Sequence, residues 1–179
     1  MFKSQKFLIV GVAAALLAGI QSQASAITAT SFDWETPGSV CMPSDGKTSE
    51  WTWGPNFGVN RNCSSCTGSA NLVCPLSTLF TGGGSGGSGT FGFLEVDVYD
   101  RSSTANVSCT LFLINLDGSN VFTQTQTSSG NSPNVQLLSF NVNVSEGSYA
   151  NATVQCSVPA ATSSGVSHVA NFITSASTP

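Results

Sequence analysis

The chain has 179 residues, of which 40% are hydrophobic and 8% are charged, and its formal net charge is −4. This length allows one domain, or one domain with a small second one. Five Lys and Arg residues against nine acidic ones offer no positive field for phosphates, which argues against nucleic-acid binding.

The first 26 residues have the three-part pattern of a secretory signal peptide. Lys3 and Lys6 precede an uncharged apolar stretch over 7–20, and the segment 24–26 reads Ala-Ser-Ala, as signal peptidase requires. The apolar stretch is too short for a membrane span, which takes about 20 residues. We therefore expect cleavage after the Ala-Ser-Ala segment and a single exported domain over 27–179, either periplasmic or extracellular.

The first predicted strand covers 27–35, and a Gly/Pro/Asn-rich segment with three aromatic residues follows it. Trp51 and Trp53 would point the same way from an extended chain, with Phe57 close by. Since aromatic faces can stack on sugar rings, these three residues are the predicted ligand-binding residues. The alternative is that they cap an open end of the fold.

The only Cys-x-x-Cys sequence is Cys63-Ser64-Ser65-Cys66, which has three interpretations. A thioredoxin-type redox pair needs a βαβ context, which the loop-like neighbours do not suggest. A zinc site needs four ligands, and a second such pair is missing. A short loop disulfide is the interpretation we favour. Together with the Cys109–Cys156 bridge predicted below, it would leave Cys41 to pair with Cys74.

A second predicted strand covers 70–79, and the Gly/Ser-rich segment 82–89 follows it as a mobile loop rather than a linker between domains.

The third predicted strand covers 90–100. Glu95 and Asp97 share one face of it, about 6–7 Å apart from the strand rise. Paired carboxylates could serve as the catalytic residues of a glycosidase. The alternative is that acidic residues at alternate positions only make the outer face of the strand polar and solvent-exposed.

Short Val-, Phe-, Thr- and Leu-rich runs predict five further strands, over 106–116, 121–128, 135–144, 148–158 and 166–174. Cys109 and Cys156 both lie on the apolar side of their strands, so a bridge between two strands is geometrically natural. Six cysteines allow 15 pairings. The pattern favours Cys109–Cys156 among them.

His168, in the last predicted strand, is the only histidine, so any Ser-His-Asp mechanism must use it. The sequence has no G-x-S-x-G elbow, and a lone strand histidine is far more often structural. A single histidine also rules out a histidine-rich metal site, and nothing in the sequence calls for a metal or another cofactor.

Eight runs at this spacing, with no sustained helical periodicity after the signal, predict an all-β fold. We expect a single β-sandwich of about eight mostly antiparallel strands, stabilised by disulfides.

Four short motifs resemble those of a diffuse set of small exported bacterial proteins, most of them without an assigned function. The motifs are Val73-Cys74-Pro75-Leu76, Val96-Asp97-Val98-Tyr99-Asp100, Ser108-Cys109-Thr110-Leu111 and Cys156-Ser157-Val158-Pro159. The resemblance implies a β-sandwich and the disulfides Cys41–Cys74 and Cys109–Cys156. It implies no catalytic residue. This chain departs from the set in its Cys-x-x-Cys sequence and its long glycine-rich segment.

The sequence thus predicts an exported, non-catalytic binding or structural module. The partner would be a glycan or a surface protein, and pairing of exposed sheet edges would allow self-association. Two alternatives are a carbohydrate-binding module that uses Trp51 and Trp53, and a hydrolase that uses Glu95 and Asp97 or His168.

Overall fold

A computed structural model describes residues 32–54, 58–76, 90–145 and 151–177. The predicted signal peptide, Phe57 and the Gly/Ser-rich segment 82–89 lie outside these residues. Among the described residues, no helix is long and apolar enough to span a membrane.

The described chain is all-β, as predicted, and contains eleven strands. They are β1 (Phe32–Pro37), β2 (Met42–Pro43), β3 (Trp51–Gly54), β4 (Gly58–Arg61), β5 (Ser69–Pro75), β6 (Thr90–Tyr99), β7 (Ser108–Ile114), β8 (Asn120–Thr127), β9 (Gln136–Ser145), β10 (Asn151–Pro159) and β11 (His168–Ser177). Two short 3-10 turns, Gly38–Val40 and Thr48–Glu50, precede β2 and β3.

Each of the eight predicted runs has its counterpart, and three short strands were not predicted. These are β2, β3 and β4, which have only two to four residues each. Such short segments show too few alternating positions for a period of two to stand out from loop sequence.

The strands form two antiparallel sheets that pack face to face. The six-stranded sheet has the order β3-β4-β11-β6-β9, with β1 paired to β11 alongside β4. The five-stranded sheet has the order β2-β5-β10-β7-β8. One apolar cluster with residues from both sheets fills the space between them, and long strands such as β7 and β10 alternate between core and outer face.

Three disulfides are present, and all three are the predicted pairs: Cys41–Cys74, Cys63–Cys66 and Cys109–Cys156. Cys109 and Cys156 face each other directly across β7 and β10. Cys41 immediately precedes β2, whose Met42 pairs with Val73. Both buried bridges therefore join neighbouring strands of the five-stranded sheet, and neither runs from one sheet to the other.

Candidate ligand-binding surfaces

The two tryptophans lie on β3, in a hairpin with β4 at one edge of the six-stranded sheet. They do share one side of the strand, but that side faces the core. Trp51 is only 5% exposed. Trp53 is half-buried, and its Nε1 donates a hydrogen bond to the carbonyl of Cys41 at 3.0 Å.

Stacking on a sugar needs an open ring face. Trp51 has none, so its predicted role as a sugar platform is corrected to a role in the core. Trp53 is anchored by its indole N–H beside the Cys41–Cys74 bridge. The third predicted binding residue, Phe57, lies outside the described residues.

Next to Trp51, the buried Arg61 holds several segments together. Its guanidinium lies 6.0 Å from the Trp51 ring centre and forms an ion pair with Glu50 at 3.0 Å. It also donates hydrogen bonds to the carbonyls of Gly68 and Val158 at 2.8 and 2.9 Å. Since Val158 belongs to the five-stranded sheet and Arg61 to the six-stranded sheet, this side chain fastens the two sheets together. No motif or alternation around Arg61 in the sequence indicates this role.

A polar cleft of about 420 Å³ opens beside Arg61. Its lining includes Ser44, Lys47, Glu50, Ser65, Thr67 and Asn71. Cys66 also lines it, so the Cys63–Cys66 bridge shapes one wall. The cleft offers hydroxyl, amide and charged groups, but its two most buried charged side chains, Arg61 and Glu50, are already paired with each other.

Glu95 and Asp97 lie on the outer face of β6, as predicted. The register places Glu95 opposite Ile173, and Ile173 opposite Glu35 of β1. Burial raises the pKa of the Asp97 carboxyl above its usual value, and the nearby charges of Glu95 and Glu35 raise it further. These three carboxylates make this outer face acidic. Within the described chain, no group of three or more His, Cys, Asp or Glu residues is placed to hold a metal ion.

His168 of β11 also lies on the outer side of the six-stranded sheet, directly opposite Tyr99 of the neighbouring strand β6. The two rings stack at 4.3 Å between centroids with an angle of 22°. Burial lowers the pKa of His168, and a hydrogen bond with the Val166 backbone partly opposes this shift. The stacked, half-buried ring fits the structural interpretation of the lone histidine.

The outer face of the five-stranded sheet has a different character, because none of its five strands places a charged side chain on it. Burial alternation and register assign its residues: Met42, Ser69, Asn71, Val73, Pro75, Ser108, Thr110, Phe112, Ile114, Val121, Thr123, Thr125, Thr127, Asn151, Thr153, Gln155 and Ser157. We call this set the neutral face.

Hydroxyl groups are regularly spaced on the neutral face. Thr110 and Thr125 are hydrogen-bonded through their side chains at 2.8 Å, and Thr127 donates to Ser108 at 3.1 Å. Phe112 lies between Thr153 and Thr123 in adjacent strands. Behind the face, the Cys41–Cys74 and Cys109–Cys156 bridges hold four of the chain segments in register.

No family model and no curated protein matches this sequence. Solved structures do show similarity in backbone. A family two carbohydrate esterase from Cellvibrio japonicus is 6% identical with a TM-score of 0.45, over 83% of this chain and 35% of that chain. A family 6 carbohydrate-binding module is 13% identical with a TM-score of 0.37, over 75% of this chain and 91% of that chain.

The VP2 subviral particle of infectious bursal disease virus is also similar, at 10% identity and a TM-score of 0.41. That match covers 84% of this chain and 34% of the viral chain. This chain therefore spans about a third of the length of the esterase and of the viral protein. Similarity at these TM-scores says nothing about what this chain binds or does.

Proposed function

We propose that this protein is an exported, non-catalytic binding module that holds a neutral, hydroxyl-rich polymer, such as an uncharged glycan, on the neutral face. The predicted signal peptide and the three disulfides support export, since disulfides persist in oxidising compartments. The observation that carries the binding proposal is the neutral face itself.

The chemistry of this face suits hydroxyl groups better than ions. Its Thr, Ser, Asn and Gln side chains both donate and accept hydrogen bonds, and a ligand can cover them without removing a charge from water. Phe112, half-buried between two threonines, adds an apolar ring against which a sugar could pack. The outer face of the opposite sheet instead carries the carboxylates of Glu35, Glu95 and Asp97, which a covering ligand would have to remove from water.

A matched pair of charge variants tests the proposal. Gln155→Glu adds one negative charge at the centre of the neutral face, and Asn141→Asp adds the same charge on the outer face of the six-stranded sheet. We expect wild type to bind at least one uncharged polysaccharide from a panel of glucans, mannans and chitin in isothermal titration or pull-down.

Gln155→Glu should weaken that binding about tenfold, which corresponds to roughly 1.4 kcal/mol. Phe112→Ala should weaken it as well, and Asn141→Asp should leave it unchanged. Equal binding by the two charge variants would exclude the neutral face as the site. If the protein binds none of the neutral polysaccharides, a structural role remains as its function.

A second candidate function, hydrolysis, rests on the raised pKa of Asp97 beside Glu95. A general acid needs such a shift, because it must keep its proton near the working pH. If the protein hydrolyses any glycan in the panel, Asp97→Asn and Glu95→Gln should abolish turnover while binding persists. Turnover that survives both substitutions would exclude this pair of carboxylates.

A further inference from the structure

The edges of the two sheets differ strongly in how well they are protected against pairing with another chain. On one side of the sandwich the edge strands are short or interrupted: β2 has two residues and ends at Pro43, β3 has four, and β1 carries the exposed Glu35 and Pro37. On the other side lie β8, with eight residues, and β9, with ten. Neither contains a charged residue or a proline. Natural edge strands usually carry such features, because they block pairing with another chain.

The backbone groups that β8 leaves open follow from its pairing with β7. Ser128 donates its N–H to the carbonyl of Val107 at 2.9 Å, and hydrogen-bonded pairs recur at every second residue of an antiparallel ladder. The even-numbered residues of β8 therefore bond to β7. The N–H and C=O groups of Thr123, Thr125 and Thr127 point away from the sheet, to the open edge.

The sequence around these positions is symmetric. Residues 123–127 read Thr-Gln-Thr-Gln-Thr, a palindrome centred on Thr125. Two copies of β8 related by a two-fold axis through Thr125 would pair Thr123 with Thr127 of the second copy. Three residue pairs would then form about six backbone hydrogen bonds.

The inner side of β8 provides a second, independent observation. The Oε1 atom of Gln124 is buried, and it has no hydrogen-bond partner within the described chain. In the symmetric pairing, Gln124 lies directly opposite Gln126 of the second copy. That amide could donate to the unpaired oxygen, since an amide nitrogen carries two donors. An unpaired buried acceptor costs free energy, which such a contact would recover.

We infer that β8 pairs with β8 of a second copy of this chain to make a continuous ten-stranded sheet. A two-fold axis perpendicular to the sheet keeps both neutral faces on the same side and both apolar faces inside. The pairing also joins two acidic molecules at an uncharged edge, which limits electrostatic repulsion: residues 27–179 hold three basic and nine acidic residues, a net charge of −6. Pairing through β8 does not require the proposed ligand.

The test is the oligomeric state of the full chain, exported and processed by its host, without any glycan. Light scattering after size exclusion, across a range of concentrations, should give the mass of a dimer. Thr125→Pro removes an N–H that faces the open edge and leaves every backbone hydrogen bond to β7, so it should give a monomer. Thr125→Ala removes the same side chain but keeps the N–H, and it should remain a dimer.

A charge pair tests the two-fold centre and does not depend on the proline variant folding. Thr125→Glu and Thr125→Lys each place like charges opposite each other, so each alone should weaken the dimer at least tenfold. An equimolar mixture of the two should restore it. A wild-type protein that stays monomeric at all concentrations would overturn the inference. A dimer that Thr125→Pro or the charge variants leave intact would also overturn it.

Discussion

Asp100 is fully buried just after β6, and its carboxylate is held by two donors. Oδ1 accepts the Ser102 N–H at 3.0 Å, and Oδ2 accepts the Ser128 hydroxyl at 2.6 Å. Ser128 Oγ in turn accepts the Val107 N–H at 2.9 Å. Since hydrogen bonds to a charged group are stronger than neutral ones, this small network ties the ends of β6 and β8 together.

Replacement of Ser128 by alanine should therefore destabilise the protein by about 2 kcal/mol. The variant leaves Asp100 Oδ2 and the Val107 N–H buried without their partner, which costs more than the bond itself contributes. Urea unfolding would measure the loss. Ser103→Ala, at an exposed neighbouring serine, is the control and should change stability by no more than a few tenths of a kcal/mol. Equal losses in both variants would show that the network contributes nothing.

Asp97 lies half-buried among other carboxylates, and its ionisation opposes folding. Its pKa is raised in the folded state, so the folded protein binds this proton more tightly than the unfolded chain does. Asp97→Asn should therefore stabilise the protein at pH 7, by about 0.5 kcal/mol for a group screened by solvent.

The gain should shrink as the pH falls through the raised pKa, and it should disappear below the usual Asp value of 3.8. Denaturant midpoints at pH 7 and at pH 3 would show this. Asp45→Asn is the opposite case, because a backbone hydrogen bond from Lys47 lowers the pKa of Asp45. This control should bring no gain at pH 7. A stabilisation by Asp97→Asn that does not change with pH would contradict the electrostatic explanation.

At the scale of elements, the β3–β4 hairpin packs against an irregularity of β11. The register of β11 against β6 shifts between Val169 and Asn171, at Ala170. Gly58 approaches the backbone there so closely that a Cβ atom would overlap the Val169 carbonyl oxygen and lie 2.7 Å from that of Ala170. Gly58 also has a φ of 65°, which side chains disfavour.

Gly58→Ala should consequently cost about 3 kcal/mol or more, from backbone overlap added to conformational strain. Gly130→Ala is a matched control, because Gly130 has a φ of 66° and open space around it. It should show the conformational cost alone, of about 1 kcal/mol. Thermal or urea unfolding would separate the two. Similar losses would mean that the hairpin tolerates displacement from β11.

At the scale of the whole molecule, covalent bonds hold the five-stranded sheet, whereas packing joins the two sheets. The Cys41–Cys74 and Cys109–Cys156 bridges each link neighbours within that one sheet. Contact between the sheets comes from the apolar core, from the hydrogen bonds that Arg61 donates and from the Asp100–Ser128 hydrogen bond. Two covalent links therefore lie directly behind the neutral face.

The disulfides should contribute unequally to stability. Cys109 and Cys156 are 47 residues apart, and Cys63 and Cys66 only 3. In the chain-entropy account, loss of the first bridge costs about 4 kcal/mol and loss of the second about 2 kcal/mol. Guanidinium unfolding of the two double alanine variants would measure both. A larger loss for the Cys63–Cys66 variant would contradict this order.

The predictable part of the candidate surfaces was the identity of the outward residues. Alternation along β7 and β10 shows from sequence that Thr110 and Gln155 lie opposite the cysteine side of their strands. The predicted Cys109–Cys156 bridge brings these strands together, but it does not show that they are neighbours within one sheet. Nothing local places β2, β5 and β8 beside them, so the neutral face could not be assembled from the sequence. The burial of Trp51 could not be predicted for a related reason, since an extended segment indicates that two side chains agree in direction but not which direction is inward.

By itself, the sequence determined the all-β class and the eight main strands, because alternation and turn residues are local properties of the chain. Cysteine spacing alone leaves 15 pairings open, and the predicted pairs followed from strand alternation, elimination and the resemblance. Only the tertiary structure decided that both buried bridges lie in one sheet and that Arg61 links the two sheets. It also decided that the acidic side chains lie on the outer face of the six-stranded sheet and not on the neutral face. These features depend on strand order. Strand order is set by packing among residues far apart in the chain, and no local pattern encodes it.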